Sequence, residues 1–265
     1  MANYLSIVKI LESTNISVRG LGQVVVDPAT IEVGNNSVVA RCRIDGVRGH
    51  KMIKCYLTSR YRNDIEGTAY YPKSLRVYTL SGRVEYVDVA ISRWIGGTAL
   101  DILFYRGGCD YSALSKAFDA MAYKHLKKGV IHGDIKPENI IVLKSGRMRL
   151  VDNEIHPADS AGNYQAKDYG SKYFAHRHRQ MRRTDGHTDH YAIALHSTFL
   201  AALTYNPFFL SEIRHMDEHV ATATQILREH NATHHYDLIV AMQDSIMGKV
   251  EGIERLFESI VMADE

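Results

Sequence analysis

The chain has 265 residues, enough for one large domain or two lobes with substantial cores. Hydrophobic residues make up 45% and charged residues 23%, ordinary globular values that exclude a disordered chain and a coiled coil. Lys and Arg total 32 against 30 for Asp and Glu, and a formal charge of +2 gives no field that calls for a nucleic-acid partner.

Cys42, Cys55 and Cys109 are an odd, widely spaced set with no C-x-x-C, which points to packing in a reducing compartment rather than a disulfide framework. The 14 histidines lack the Cys/His spacing of a structural zinc site. No apolar run reaches the ~18 residues of a membrane span, and the N-terminus lacks a basic start before a long apolar run, so a cytoplasmic location is expected.

In chain order, residues 1–22 predict a short helix and a linker punctuated by Gly20 and Gly22. From "QVVVDPATIEV" through "SVVARCRI" and "HKMIKCYL" the chain is rich in Val and Ile and broken by Asp-Pro, Gly-Asn-Asn and Asp-Gly, as antiparallel strands and tight turns require. Two more strands are predicted in "SLRVYTL" and "RVEYVDVAI". After "RWIGG" the period becomes helical. In "DYSALSKAFDAMAYKHLKKG", Leu114, Phe118, Met121 and Ala122 recur on one face, Asp110 caps the start and Gly129 ends the helix. "NIIVL" and "MRLVD" predict two short strands around "KSGR", and residues 189–204 and most of 207–262 predict helices with a polar break near "REHNATHHYD".

Just before that hairpin, "VIHGDIKPENIIV" places His132, Asp134, Lys136 and Asn139 as H-x-D-x-K-x-x-N, with Asp152 following thirteen residues after Asn139. Five chemistry-bearing residues at fixed spacing form a specific signal. The pattern resembles the catalytic loop and metal-binding Asp of protein kinases, and the resemblance extends over about residues 24–265. It implies an α+β, bilobal protein kinase-like fold, divided here as an N-terminal extension 1–22, a β-rich lobe 23–93 and a helical lobe 94–265. It also implies an ATP- and Mg²⁺-dependent phosphotransferase, closest to the Ser/Thr protein kinases, with a protein substrate or partner, no nucleic acid and no membrane.

Carried residue by residue, the resemblance makes Asp134 the group that orients the substrate hydroxyl, and Lys136 the cation beside the transferring phosphate. Asn139 and Asp152 supply oxygen ligands to Mg²⁺. His132 is structural, and Asp189 in "DHYAIALHSTFLAAL" holds backbone N–H groups of the loop. Lys54 in "KMIKCY" takes the place of the phosphate-binding lysine, with Glu66 in "RNDIEGTAYY" as its acidic partner or as an exposed helical glutamate. "EVGNNSVV" aligns with the glycine-rich loop, with Glu32 at the first glycine, Gly34 at the second and Ser37 at the third. The same stretch also reads as an ordinary hairpin turn. "AISRWIGGTALDIL" resembles the segment that binds the adenine edge, where Trp94 is equally a lobe-interface residue. "GSKYFAHR" resembles the end of an activation segment, and the basic run "HRHRQMRR" reads as a solvated surface or a contact for an acidic partner.

The pattern is broken in two places. Gly133 stands where an arginine commonly pairs with a phosphorylated activation loop, so control by such a phosphate is not expected. "H-G-D" also occurs in kinases of aminoglycosides and choline. "VDNE" replaces D-F-G: Asp152 is kept, but Asn153 and Glu154 replace an apolar residue and a glycine. A catalytically weak scaffold and a small-molecule kinase therefore stand beside the protein-kinase expectation.

Overall fold

In a computed structural model, residues 4–19, 21–34, 37–56, 73–78, 84–129, 132–151, 187–209, 216–245 and 249–263 are described. The fold is α+β, with antiparallel sheet concentrated in the first third and helices in the rest. The chain divides into two compact units, Met1–Ile95 and Gly96–Glu265.

The first unit begins with α1 (Tyr4–Glu12), followed by β1 (Asn15–Arg19), β2 (Gly22–Val26), β3 (Glu32–Val33), β4 (Ser37–Ile44), β5 (Val47–Tyr56), β6 (Lys73–Tyr78) and β7 (Val84–Arg93). β1 corrects the expectation of a linker over residues 13–22. Its exposed/buried alternation hides Ile16 and Val18, a period of two that only five residues carry. The sheet curls on itself: β1 pairs with β2 and β6, β2 with β4, β4 with β5, β5 with β7, and β7 with β6, all antiparallel. The inward residues Val24, Val38, Ala40, Ile53, Cys55, Val89 and Ile91 form one core with Ile7 and Leu11 of α1. Burial pushes the Cys42 and Cys55 thiols up to about 12, so both stay protonated and serve as packing groups.

"VVVDPATIEV" would run as one strand, but Pro28 has no N–H to give the ladder. A 3₁₀ turn over Pro28–Thr30 therefore separates β2 from β3. Asp27 caps it by accepting the Ala29 N–H, and ion-pairs with Arg41, which holds its carboxyl below the ordinary value.

The second unit contains β8 (Thr98–Ala99), α2 (Leu100–Arg106), α3 (Tyr111–Lys128), β9 (Ile140–Val142), β10 (Met148–Leu150), α4 (His187–Tyr205), α5 (Met216–Glu229), α6 (Thr233–Gln243) and α7 (Ile253–Ala263). α3 follows its sequence signals closely: Asp110 accepts the Ala113 N–H at 3.0 Å and Gly129 closes the helix with φ of 61°. Phe118, Leu195, Leu200, Leu227, Ile239 and Phe257 are buried in one core built from α3 to α7. A polar pin crosses it. Buried Asp119 of α3 accepts from Ser197 Oγ of α4 at 2.5 Å and pairs with His235 Nε2 of α6 at 3.1 Å. β8, β9 and β10 form a small antiparallel sheet. At its edge Gly97 passes so close to β9 that a Cβ there would lie 2.6 Å from Ile141 Cγ2, and closer still to the Val142 carbonyl oxygen.

Candidate active site

The segment from His132 to Asn139 joins α3 to β9, and its backbone is anchored at three points. Asp189, in the first turn of α4, accepts the N–H of His132 at 2.5 Å and that of Gly133 at 2.8 Å. His132 is fully buried, and its Nε2–H donates to the Val151 carbonyl at 2.9 Å while Nδ1 accepts the Asp134 N–H at 3.3 Å. These two partners require the neutral ring, and burial lowers the His132 pKa accordingly. Ile135 is buried among the apolar residues of the unit, which turns its neighbours Asp134 and Lys136 outward.

A 3₁₀ turn over Pro137–Asn139 then closes the loop, with the proline at its first position and the Asn139 N–H bonded to the Lys136 carbonyl at 2.9 Å. Buried Asn139 aims its amide nitrogen at two acceptors, the Asp134 carbonyl at 2.8 Å and Asp134 Oδ2 at 3.3 Å. Both partners are oxygens, so the nitrogen must face them and Oδ1 faces elsewhere. Lys136 Nζ lies 2.7 Å from Asp134 Oδ2, with both side chains about one-fifth exposed at 21% and 19%. Carboxylate, ammonium and side-chain amide thus converge within one loop, accessible to a ligand and held by buried bonds beneath.

An amide oxygen is one of the hard donors that Mg²⁺ selects, so Asn139 fits that ion. Among the described residues no group of three or more His, Cys, Asp or Glu forms a metal cluster. Asp152, the carboxylate expected to complete the set, lies outside the described residues, as do Glu66, "GSKYFAHR" and "HRHRQMRR".

Part of the chain is similar to serine/threonine kinases. It is 33% identical over 86 residues to the serine/threonine-protein kinase CHK1 of Saccharomyces cerevisiae, a segment covering 31% of this chain and 16% of that protein. It is 29% identical over 86 residues to the CBL-interacting serine/threonine-protein kinase 24 of Arabidopsis thaliana, covering 31% of this chain and 19% of that protein. The chain thus matches less than one-fifth of the length of these curated relatives. No family model matches it.

Lys54 alternates with the inward residues Ile53 and Cys55, so it stands on the outer face of the curled sheet, yet it is buried at 4% exposure. Its ammonium lies 5.3 Å from the centre of the Tyr56 ring, a cation–π distance. Gly34 and Ser37 close the β3–β4 hairpin, with the Gly34 N–H donating to the Ser37 carbonyl at 2.9 Å. That donor is engaged in the turn. Trp94 is half-buried and its N–H donates to the His50 carbonyl at 3.2 Å, which ties the end of β7 to β5.

One residue of the anchor escaped the sequence reading. His125, on the last turn of α3, places Nε2 3.2 Å from Asp189 Oδ2. Burial alone would raise the Asp189 pKa, but the bond from His125 and those from the His132 backbone outweigh it and leave the carboxyl below its ordinary value. The available signal was a histidine one turn before the Gly129 stop, on the helix that feeds the loop.

Proposed function

We propose that the chain is an ATP- and Mg²⁺-dependent phosphotransferase of bilobal, protein kinase-like fold, which transfers the γ-phosphate to a Ser or Thr hydroxyl of a protein. The observation that carries this reading is the contact of Asp134 with both Lys136 and Asn139 on a loop whose N–H groups are bonded to Asp189. Asp134 would accept the substrate hydroxyl's hydrogen bond and orient its oxygen in line. Lys136, already paired with Asp134, would turn toward the transferring phosphate and offset its charge. Asn139 would present Oδ1 to the metal, and Asp152 would supply the second oxygen ligand. Lys54, with Glu66 as its acidic partner, is assigned to the ATP phosphates, and Gly34 and Ser37 to the loop that borders them. When bound, Mg²⁺ neutralises phosphate charge that the side chains alone do not balance.

The test is phosphate transfer from labelled ATP with Mg²⁺, by the full chain, to itself and to a panel of proteins, peptides and small hydroxylated acceptors. Asp134→Asn serves as the reference. Label above that reference on a protein is expected, and label on a small molecule alone would move the assignment to that acceptor class. No transfer, with an ATP–Mg²⁺ increase in Tm that Asp152→Ala abolishes, would leave a nucleotide-binding scaffold. Neither transfer nor a shift would overturn the reading.

A further inference from the structure

The loop that carries Asp134 contains Gly133, whose missing Cβ leaves the backbone wide conformational freedom. Groups outside the loop must therefore set its path. Three consecutive N–H groups are held: those of His132 and Gly133 by the two oxygens of Asp189, and that of Asp134 by His132 Nδ1. The hold is only as firm as the rotation of the Asp189 carboxylate, because the terminal torsion of an aspartate is broad and two-fold. A turn about that torsion would take both oxygens off the loop.

His125 removes that freedom. Its Nε2 lies 3.2 Å from Asp189 Oδ2, the same oxygen that accepts the His132 N–H. An ionised carboxylate only accepts, so Nε2 carries the proton and donates it. Among the described residues, Oδ2 thus has one donor from α3 and one from the loop, while Oδ1 has a donor from the loop alone. The two side chains are 12% and 4% exposed, so water competes little for their bond. The His125 ring also meets the His132 ring edge to face, with centroids 6.5 Å apart, and it is the His132 ring that holds the Asp134 N–H. One side chain of α3 therefore stands against both groups that fix the loop.

We infer that His125 is a positioning residue for phosphotransfer: by donating to Asp189 Oδ2 it fixes the rotation of that carboxylate, and through it the backbone that places Asp134. Displacing a reacting group by about 1 Å can cost on the order of a hundredfold in rate. The last turn of α3 is thereby tied to the chemistry through Asp189, at one remove from the reacting atoms. The inference rests on the phosphotransfer reading for its kinetic arm, whereas exchange at the held amides needs no substrate.

The experiment uses the full chain and compares His125→Leu, which removes the donor, with His125→Gln, whose amide nitrogen can reach the position of Nε2. Amide hydrogen exchange is read residue by residue in both, and phosphate transfer from ATP with Mg²⁺ is measured alongside. In His125→Leu the His132 and Gly133 amides should exchange roughly tenfold faster or more, while those of Phe118 and Leu200 stay within about twofold. Its kcat should fall roughly tenfold, with the KM for ATP within about twofold. His125→Gln should recover most of both. His125→Ala takes the place of the leucine variant should that one fail to fold, as judged by circular dichroism. Unchanged exchange at the two amides, faster exchange spread evenly over α3 and α4, or equal losses in the glutamine and leucine variants would overturn the inference. No transfer by the unmodified chain would count against the phosphotransfer reading instead, and the exchange result would then decide the clamp by itself.

Discussion

Asp189 Oδ1 accepts the backbone N–H of Gly133 at 2.8 Å across 56 residues of sequence. Its other oxygen takes the His132 N–H and lies 3.2 Å from His125 Nε2, so one buried carboxylate fixes the loop that carries Asp134. Replacing it with alanine strands buried donors, each of which costs about 1–3 kcal/mol unpaired. Asp189→Ala should lower stability by roughly 2–4 kcal/mol. Asp189→Asn, which keeps one acceptor oxygen, should lose less. Denaturant midpoints of both variants measure the difference, and a phosphotransfer assay should show a larger loss for alanine.

Gly133 has φ of 83°, in the left-handed region where residues with a Cβ are strained. This gives the glycine a backbone reason beyond the missing arginine. Gly133→Ala should cost about 1–2 kcal/mol, and Gly133→Arg at least as much, without creating any new response to phosphate. Thermal unfolding of both variants checks the first statement, and activity before and after phosphatase treatment checks the second.

Gly97 passes against β9 with no room for a methyl group. The atoms in the way include a backbone carbonyl, which cannot swing aside as a side chain can. Gly97→Ala should therefore lower stability by roughly 1–3 kcal/mol and loosen the β8–β9 pairing. Hydrogen exchange at the Ile141 and Val142 amides would report the loosening directly.

Acid should destabilise the fold in two stages. His196 donates Nδ1–H to the Ala192 carbonyl at 2.7 Å, stacks on Phe118, and is held by burial at a pKa of about 4 against an ordinary 6.5. His132 is shifted in the same direction. Below pH 6.5 the unfolded chain takes up protons that the folded chain refuses, so stability falls as pH falls, with His196 alone contributing on the order of 3 kcal/mol by pH 4. The Asp189 carboxyl is lowered instead, so its contribution is present above the ordinary 3.8 and is lost as pH drops further through the folded value. Urea midpoints taken across this range should show both stages, and His196→Leu should flatten the first.

What the sequence made legible was local. The caps of α3, the hairpin of β9 and β10, and the helical break at residues 230–232 depend on neighbours within a few positions, and all are found where the residue pattern put them. Asp134, Lys136 and Asn139 were legible for the same reason: one short loop brings them together. The misses are long-range. β1 has two buried apolar residues to announce it, and although the Asp-Pro break after β2 was legible, the pairing of β2 with β4 was not. His125 meets Asp189 only after α3 and α4 have packed, so spacing along the chain carried no trace of the contact.

The ring of strands has one further consequence. Among the described residues each of its six members has a neighbour on both sides and the two-residue β3 alone ends a row of strands, while β1 meets β6 at only two residue pairs, Val18–Leu75 and Arg19–Ser74. This closure shortens the ladder open to a partner that binds by adding a strand, and it guards against edge-to-edge aggregation. Side chains then make up most of what the closed sheet presents outward, and on the β4–β5 hairpin Arg43 and Arg48 are among the exposed ones.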